Sequence, residues 1–286
     1  MKRLHQSILL TSIFLVTACG TVPSHLEKTM TISNKEKAIA LLSSIESGDQ
    51  TAVEYVNSAK YTQHNLSIGD GLAGFGAALQ ALPKGTARVN VIRTFVDGDF
   101  VVAHTEYNFF GPKDGFDVFR FEDGLIVEHW DNLIEIAPPN PSGHPQFDGP
   151  TEIEDLDQTD ANKALVQSFV QTILADGNMN KIGDYIGGDN YIQHNPSIAD
   201  GLSGLSQALE AMAKQGITMV YSKIHKVLGQ GNFVLTISEG TFADEATSFY
   251  DLFRVENGKI VEHWDVMETI ILKDEWKNAN GKFGGL

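Results

Sequence analysis

Two carboxyl groups and an imidazole crowd one short stretch of this chain: Asp117, His129 and Asp131, within DVFRFEDGLIVEHWD at 117–131. The set recurs as Asp251, His263 and Asp265 within DLFRVENGKIVEHWD at 251–265. Groups of this kind sharing a pocket cannot all ionise independently. Apolar walls and a like charge raise one carboxyl pKa, which gives a general base or a neutral donor near pH 7. A second polar group is also duplicated. Tyr61, Gln63, His64 and Asn65 stand in YTQHNLSIGDGLAG (61–74), and Tyr191, Gln193, His194 and Asn195 in YIQHNPSIADGLSG (191–204). His64 and His194 read as acid/base groups or donors at a pocket mouth, with their neighbours as ligand-binding residues.

Ten of fourteen positions are identical in the first pair of blocks and eleven of fifteen in the second, at offsets of 130 and 134. Two blocks in the same order at nearly one offset mean a duplicated domain. Copies kept only for packing would conserve apolar pattern and turn glycines, and their polar positions would drift.

The elements that must position these groups follow in the same order in each copy. Apolar residues at helical spacing, Ala38, Leu41, Leu42 and Ile45, or Leu165, Phe169, Ile173 and Leu174, predict a first helix. A shorter helix follows at 50–57 or 178–186. Asp70 and Asp200 read as N-caps of the next helix. Strands are expected at 87–97, 99–110, 116–121 and 125–135, and at 217–229, 232–243, 248–255 and 259–271. Helices first and antiparallel strands after is an α+β order.

In the last hairpin a three-residue loop, Glu122-Asp123-Gly124, sets Asp117 opposite His129, and a two-residue Asp-Gly turn sets it opposite Trp130. The first register puts Asp117, Phe119, Val127, His129 and Asp131 on one face, with Phe119 and Phe253 as ligand-contacting residues. Val118, Arg120, Glu128 and Trp130 fall on the other. There Arg120 and Glu128 form a structural pair, and Trp130 and Trp264 belong to core or interface. Aligning 98–106 with 231–239 sets His104 opposite Ile237. If that strand reaches the pocket, His104 makes copy one the more reactive. No HExxH, closely spaced His pair, P-loop or dinucleotide fingerprint occurs, so neither metal nor cofactor is expected.

Residues 1–18 read as a lipoprotein signal peptide: basic Lys2 and Arg3, a short apolar run, then Val16-Thr17-Ala18-Cys19, which resembles a lipobox. The resemblance implies cleavage before Cys19, lipidation of its sulfur and a membrane partner through the anchor. Gly20 favours an outer-membrane address, facing the periplasm. Cys19 is the sole cysteine, so no intrachain disulfide forms. A net charge of −16 argues against nucleic acid or anionic membrane surfaces as partners. The remaining divisions are a tether at 19–33, a first domain at 34–136, a proline-rich acidic linker at 137–159, a second domain at 160–272 and a frayed tail at 273–286.

Together YxQHNxxxxDGxxG, the VVAH strand and DxFRxEDGxIVEHWD resemble the SnoaL-like polyketide cyclases of the nuclear transport factor 2-like superfamily. The resemblance covers 34–136 and 160–272. It implies two tandem cone-like α+β domains, each with helices on a curved antiparallel sheet of four to six strands enclosing a pocket. In such cyclases a late-sheet Asp is the base of an aldol closure, a role matched by Asp131 and Asp265. The His of the neighbouring strand is replaced by Asp117 or Asp251. The implied activity is a cofactor-independent lyase or isomerase on a small apolar substrate; the alternative is a non-catalytic small-molecule binding module. Such domains pair through the outer sheet face, which implies an intramolecular pseudo-dimer.

Overall fold

The computed structural model describes residues 32–82 and 85–286. The signal peptide, Cys19 and nearly all of the tether lie outside them. Copy one begins with helix α1 (Asn34–Ser47). Ser33 accepts from Glu36 N at 3.2 Å while the Glu36 carboxylate accepts from Ser33 N at 2.7 Å, a capping box that fixes the start. Ala38, Leu41 and Leu42 are buried. A 3₁₀ turn (Gln50–Tyr55), strand β1 (Thr62–Gln63), helix α2 (Gly71–Ala81) and strands β2 (Arg88–Asp97), β3 (Phe100–Asn108), β4 (Pro112–Glu122) and β5 (Leu125–Glu135) follow.

Copy two repeats this as α3 (Thr159–Phe169), α4 (Ile182–Tyr185), β6 (Ile192–Gln193), α5 (Gly201–Gln215), β7 (Met219–Gln230), β8 (Phe233–Phe242), β9 (Glu245–Glu256) and β10 (Lys259–Thr269). α3 runs into a π turn at Val170–Ala175, whose wider winding rotates the buried stripe. Val166, Phe169, Val170 and Ile173 are therefore buried, while Leu165 and Leu174 are only half-buried.

The sheet orders are β1-β5-β4-β3-β2 and β6-β10-β9-β8-β7. The two-residue strands β1 and β6 run parallel to β5 and β10, so the sheets are mixed, not wholly antiparallel. This short edge strand carries the Tyr-x-Gln-His-Asn segment and places it beside the EHWD strand.

The hairpin register differs from both expectations. Asp123 (φ 51°) and Gly124 (φ 75°) form a two-residue turn in the left-handed region. Glu122 then faces Leu125. A bulge between Ile126 and Glu128 shifts the register one residue further, so Asp117 pairs with Asp131 and Phe119 with His129. Turn and bulge together restore the side-chain parity of the three-residue reading. Asp117, Phe119, His129 and Asp131 still share the helix-covered face. Copy two has the same register, with Asp251 opposite Asp265.

The opposite faces of the two sheets meet. Phe95, Phe116, Val118 and Trp130 join Leu228, Leu235, Tyr250, Leu252 and Trp264 in one buried cluster. Asn132 Nδ2 donates to the carbonyls of Ser248 and Val266 at 2.8 and 2.9 Å. Trp130 and Trp264 are fully buried. At ~150–250 Å² and ~25 cal/mol per Å², each contributes roughly 4–6 kcal/mol of hydrophobic stabilisation. That makes them core, as their outward register implies.

The segments after the last strands are neither a loose linker nor a frayed tail. Each crosses to the other copy and straps its Trp face. After β5, Asn140 donates to the carbonyls of Gln193 and Ile198 at 2.6 and 3.0 Å, and Trp264 Nε1 donates to Asp148 O at 3.0 Å. After β10, Asn280 donates to Gln63 O at 2.9 Å, and Trp130 Nε1 donates to Gly284 O at 2.8 Å. Gly149 and Gly285 occupy equivalent places with φ of 93° and 78°. A Cβ on either would come within 2.6–2.7 Å of Glu262 or Glu128. Glycine is required at both positions for its left-handed backbone and for that close approach.

Candidate functional site

Between the helices and the inner sheet face of copy one lies a cavity of about 350 Å³. Its walls are mostly apolar, from Leu41, Leu42, Ile45, Phe75, Leu79, Phe119 and Leu133. The polar groups include Tyr61, Gln63, Asn65, Tyr107, Asp117, His129 and Asp131. The copy-two cavity is about 390 Å³ and carries Tyr191, Gln193, Asn195, Tyr221, Asp251, Phe253, His263 and Asp265.

The polar groups form two chains. Gln63 Oε1 faces His129 Nδ1 at 3.2 Å, and His129 Nε2 faces Asp117 Oδ1 at 3.1 Å. Tyr107 O–H donates to Asp117 Oδ2 at 2.6 Å. Both ring nitrogens of His129 thus meet acceptors, which favours the doubly protonated ring. Burial opposes that charge, but the Asp117 hydrogen bond and the Asp131 and Asp117 charges outweigh it, and the His129 pKa is raised. In the second chain Asn65 Nδ2 donates to Asp131 Oδ2 at 2.8 Å, while no described protein group donates to the buried Asp131 Oδ1. Gln63 Nε2 donates to Tyr61 Oη at 3.1 Å, so the phenol accepts there and keeps its own proton for another partner. Burial, then the nearby carboxylates, push the Tyr61 pKa well up, so it stays a donor.

Copy two repeats the His263–Asp251 and His263–Gln193 contacts at 3.1 Å each. Asn195 Nδ2 there spans both oxygens of Asp265, at 3.0 and 2.8 Å. Burial raises the Asp265 pKa.

Three expected site histidines lie elsewhere. His64 and His194 point away from the cavities and stack on Trp130 and Trp264, with ring centroids 4.7 Å apart in both pairs. Their Nδ1 atoms meet the strap carbonyls of Gly281 and Pro145 at 2.8 and 2.9 Å. The parallel edge strand alternates its side chains, so Gln63 and Asn65 flank the cavity while the residue between them faces out. His104 is likewise on the outer face, opposite Phe116. It bridges Arg93 and Asp114, both contacts at 2.7 Å, and burial lowers its pKa. Ile237 faces Tyr250 at the matching place. The His104–Ile237 difference therefore belongs to the interface and not to the pocket. Asp70 and Asp200 sit at N-cap positions but make no side-chain cap; Oδ1 of each accepts from the backbone N–H of Gln63 or Gln193 at 3.0 Å.

The tyrosines on the paired carboxylates were not expected. Tyr107 comes from β3, whereas Tyr221, which contacts both oxygens of Asp251 at 3.2 Å, comes from β7. The two copies supply one donor from non-equivalent strands, so comparing the repeats could not reveal it. Arg120 and Glu128 do pair, and Arg254 Nε donates to Glu262 at 2.7 Å.

Ligand atoms of Asp117, His129 and Asp131 lie within 4.8 Å of one another and could hold a cation. Their existing bonds to Tyr107, Gln63 and Asn65 suit an organic ligand equally. A cone-like α+β body closing an apolar cavity around a few convergent polar groups has the shape and lining of a small-molecule pocket. The SnoaL-like domain family model matches residues 38–129 and again 166–263, more than half of the chain, and the protein belongs to that family.

Similar solved structures each span one copy. An NTF2-like protein of unknown function from Cytophaga hutchinsonii is 12% identical and covers 37% of this chain and 94% of its own, with a TM-score of 0.33. The wild-type IdmH structure, a putative polyketide cyclase from Streptomyces antibioticus, is 18% identical over 35% and 91%, with a TM-score of 0.31. A putative ketosteroid isomerase from Kribbella flavida is 15% identical over 38% and 82%, with a TM-score of 0.32. No curated protein matches the chain.

Proposed function

We propose that the copy-one cavity binds a small apolar ketone and removes a proton from the carbon beside its carbonyl. The supporting observation is Asp131: a buried carboxylate with one oxygen held by Asn65 and the other offered no protein donor. Oδ1 takes the proton, the C–H electrons move into the carbonyl, and the oxygen gains negative charge. The Tyr61 O–H donates to that oxygen. Gln63 holds the phenol, and the His129–Asp117–Tyr107 chain lies beside Asp131 on the same sheet face, with His129 on Gln63. Returning the proton to another carbon isomerises the substrate; attack of the enolate carbon on a second carbonyl closes an aldol. Neither outcome needs a cofactor.

Copy two is the reading for pure binding, because Asn195 spans both oxygens of Asp265. The test is deuterium exchange from solvent into a panel of small cyclic ketones, read by mass spectrometry beside ligand-induced thermal shifts. Asp131→Asn is expected to slow exchange ~10²–10⁴-fold, the usual contribution of a general base, while binding persists. Ketones that bind without exchanging in the unaltered protein would reduce the site to a binding module.

From the lipobox-like Val16-Thr17-Ala18-Cys19 alone, we propose further that the protein sits at the cell envelope, facing the periplasm and lipidated at Cys19. One acyl chain anchors only marginally, so two or three are needed. Cys19→Ser protein should leave the membrane fraction. The two copies act as an intramolecular pseudo-dimer, a view supported by their shared apolar cluster. Each domain is completed by the strap that follows the other one's last strand.

A further inference from the structure

We infer that the strap after β5 carries a divalent transition-metal site, with Zn²⁺ as the ion it fits best, outside the ligand cavity. The donors are His144 and Asp148 on the strap and His194 on the edge segment beneath it. Their ligand atoms lie within 4.8 Å of one another. His194 Nδ1 is 3.1 Å from Asp148 Oδ1, and His144 Nδ1 is 3.9 Å from Asp148 Oδ2. The Pro145 carbonyl, 2.9 Å from His194 Nδ1, supplies a fourth donor. A tetrahedral ion with bonds of about 2.0–2.1 Å sets neighbouring donors roughly 3.3 Å apart. His194 is already held at that spacing. His144 and Asp148, each about a third to a half exposed, have room to close on the ion.

The surroundings make this more than a cluster. Each imidazole turns its Nε2 to a carboxylate: His144 to Asp200 at 3.1 Å, His194 to Glu262 at 2.9 Å. His194 Nδ1 faces two acceptors, the Pro145 carbonyl and Asp148, so without an ion it carries a proton. The ion would take that proton's place while Nε2–H of each ring stays on its carboxylate, the usual supporting arrangement of metal-binding histidines. Those carboxylates are themselves held. Glu262 accepts from Arg254 Nε at 2.7 Å, and Asp200 from Gln193 N at 3.0 Å. Trp264 clamps the His194 ring, and Arg93 donates to the carbonyls of Phe147 and Asp148 at 3.3 and 2.6 Å, fixing the backbone that carries the carboxylate. Two imidazoles with one carboxylate suit Zn²⁺ and its neighbours better than Mg²⁺ or Ca²⁺. Copy one cannot repeat the site: Asn280 and Gly284 stand where the other strap has His144 and Asp148.

The experiment is equilibrium dialysis of the chelator-treated full chain against Zn²⁺, with metal analysis and thermal melts. One Zn²⁺ per chain is expected, with a rise in Tm and no displacement by excess Mg²⁺. His144→Ala, at a half-buried position, and Asp148→Asn, at an exposed one, should melt close to the unaltered chain without Zn²⁺ and each weaken uptake roughly tenfold or more. Asp131→Asn should bind Zn²⁺ like the unaltered chain. Absence of stoichiometric uptake, uptake indifferent to both strap substitutions, or loss of uptake in Asp131→Asn would each overturn the assignment.

Discussion

Lys282 ties the end of the chain to the wall of the first cavity, and replacing it tests whether the straps are structural. Its ammonium is buried and donates to Asp131 O at 2.8 Å and Glu268 Oε1 at 2.9 Å. Lys282→Met keeps the aliphatic stem and removes both bonds. A hydrogen bond to a charged group contributes about 1.5–3 kcal/mol. Glu268 is 29% exposed, and solvent screening moves the value toward the lower end, near ~2 kcal/mol. For a chain of this size ~2 kcal/mol corresponds to roughly 4–8 °C in Tm. Urea and thermal unfolding read it directly. Gln146, at the matching place on the other strap, is the control; its neutral amide accepts from Ala137 N at 2.7 Å, so Gln146→Met should cost about 1 kcal/mol or less. The Lys282 charge also lowers the His129 pKa, so NMR titration should find that pKa higher still in Lys282→Met. A change in stability below about 0.5 kcal/mol, the scatter of ordinary surface substitutions, with His129 unmoved, would mean the tail is undocked in solution.

His104→Ile should leave proton exchange in the pocket unchanged yet destabilise the fold by about 1–3 kcal/mol, because His104 is the hydrogen-bond partner of the buried Asp114; unfolding in urea measures the loss. The raised His129 pKa makes its stabilisation complete below the unfolded value of ~6.5 and lost as pH rises through the folded value. His129→Gln should therefore flatten the decline of stability on the alkaline side, read by urea midpoints from neutral to mildly alkaline pH.

The duplication, the succession of helices and strands and the face shared by Asp117, His129 and Asp131 were legible because they rest on identity at a fixed offset and on side-chain alternation. The register was not. A two-residue turn and a bulge each shift it by one, and only their sum preserves the face. His64 misled because its motif is duplicated like a catalytic one. The conserved role is a ring stacked on Trp130 with a carbonyl on its Nδ1, and that carbonyl belongs to a segment some 217 residues away in sequence. The straps escaped notice because backbone carbonyls and glycines bear most of their contacts. The short QFDG and KFGG stretches, at an offset of 136, are the signal that could have exposed them.

The exchanged straps also set an order of events during synthesis. Copy one has all its strands once Glu135 is made, yet the carbonyls that receive His64 and Trp130 belong to Gly281 and Gly284. Roughly 150 residues separate them, which at ~5–20 residues per second is about 7–30 s. Until the copy-two strands that share its cluster are made the Trp130 face stays uncovered, and its strap contacts wait for the whole of that interval, so the nascent chain offers an apolar surface to any holding factor or to a neighbouring nascent copy.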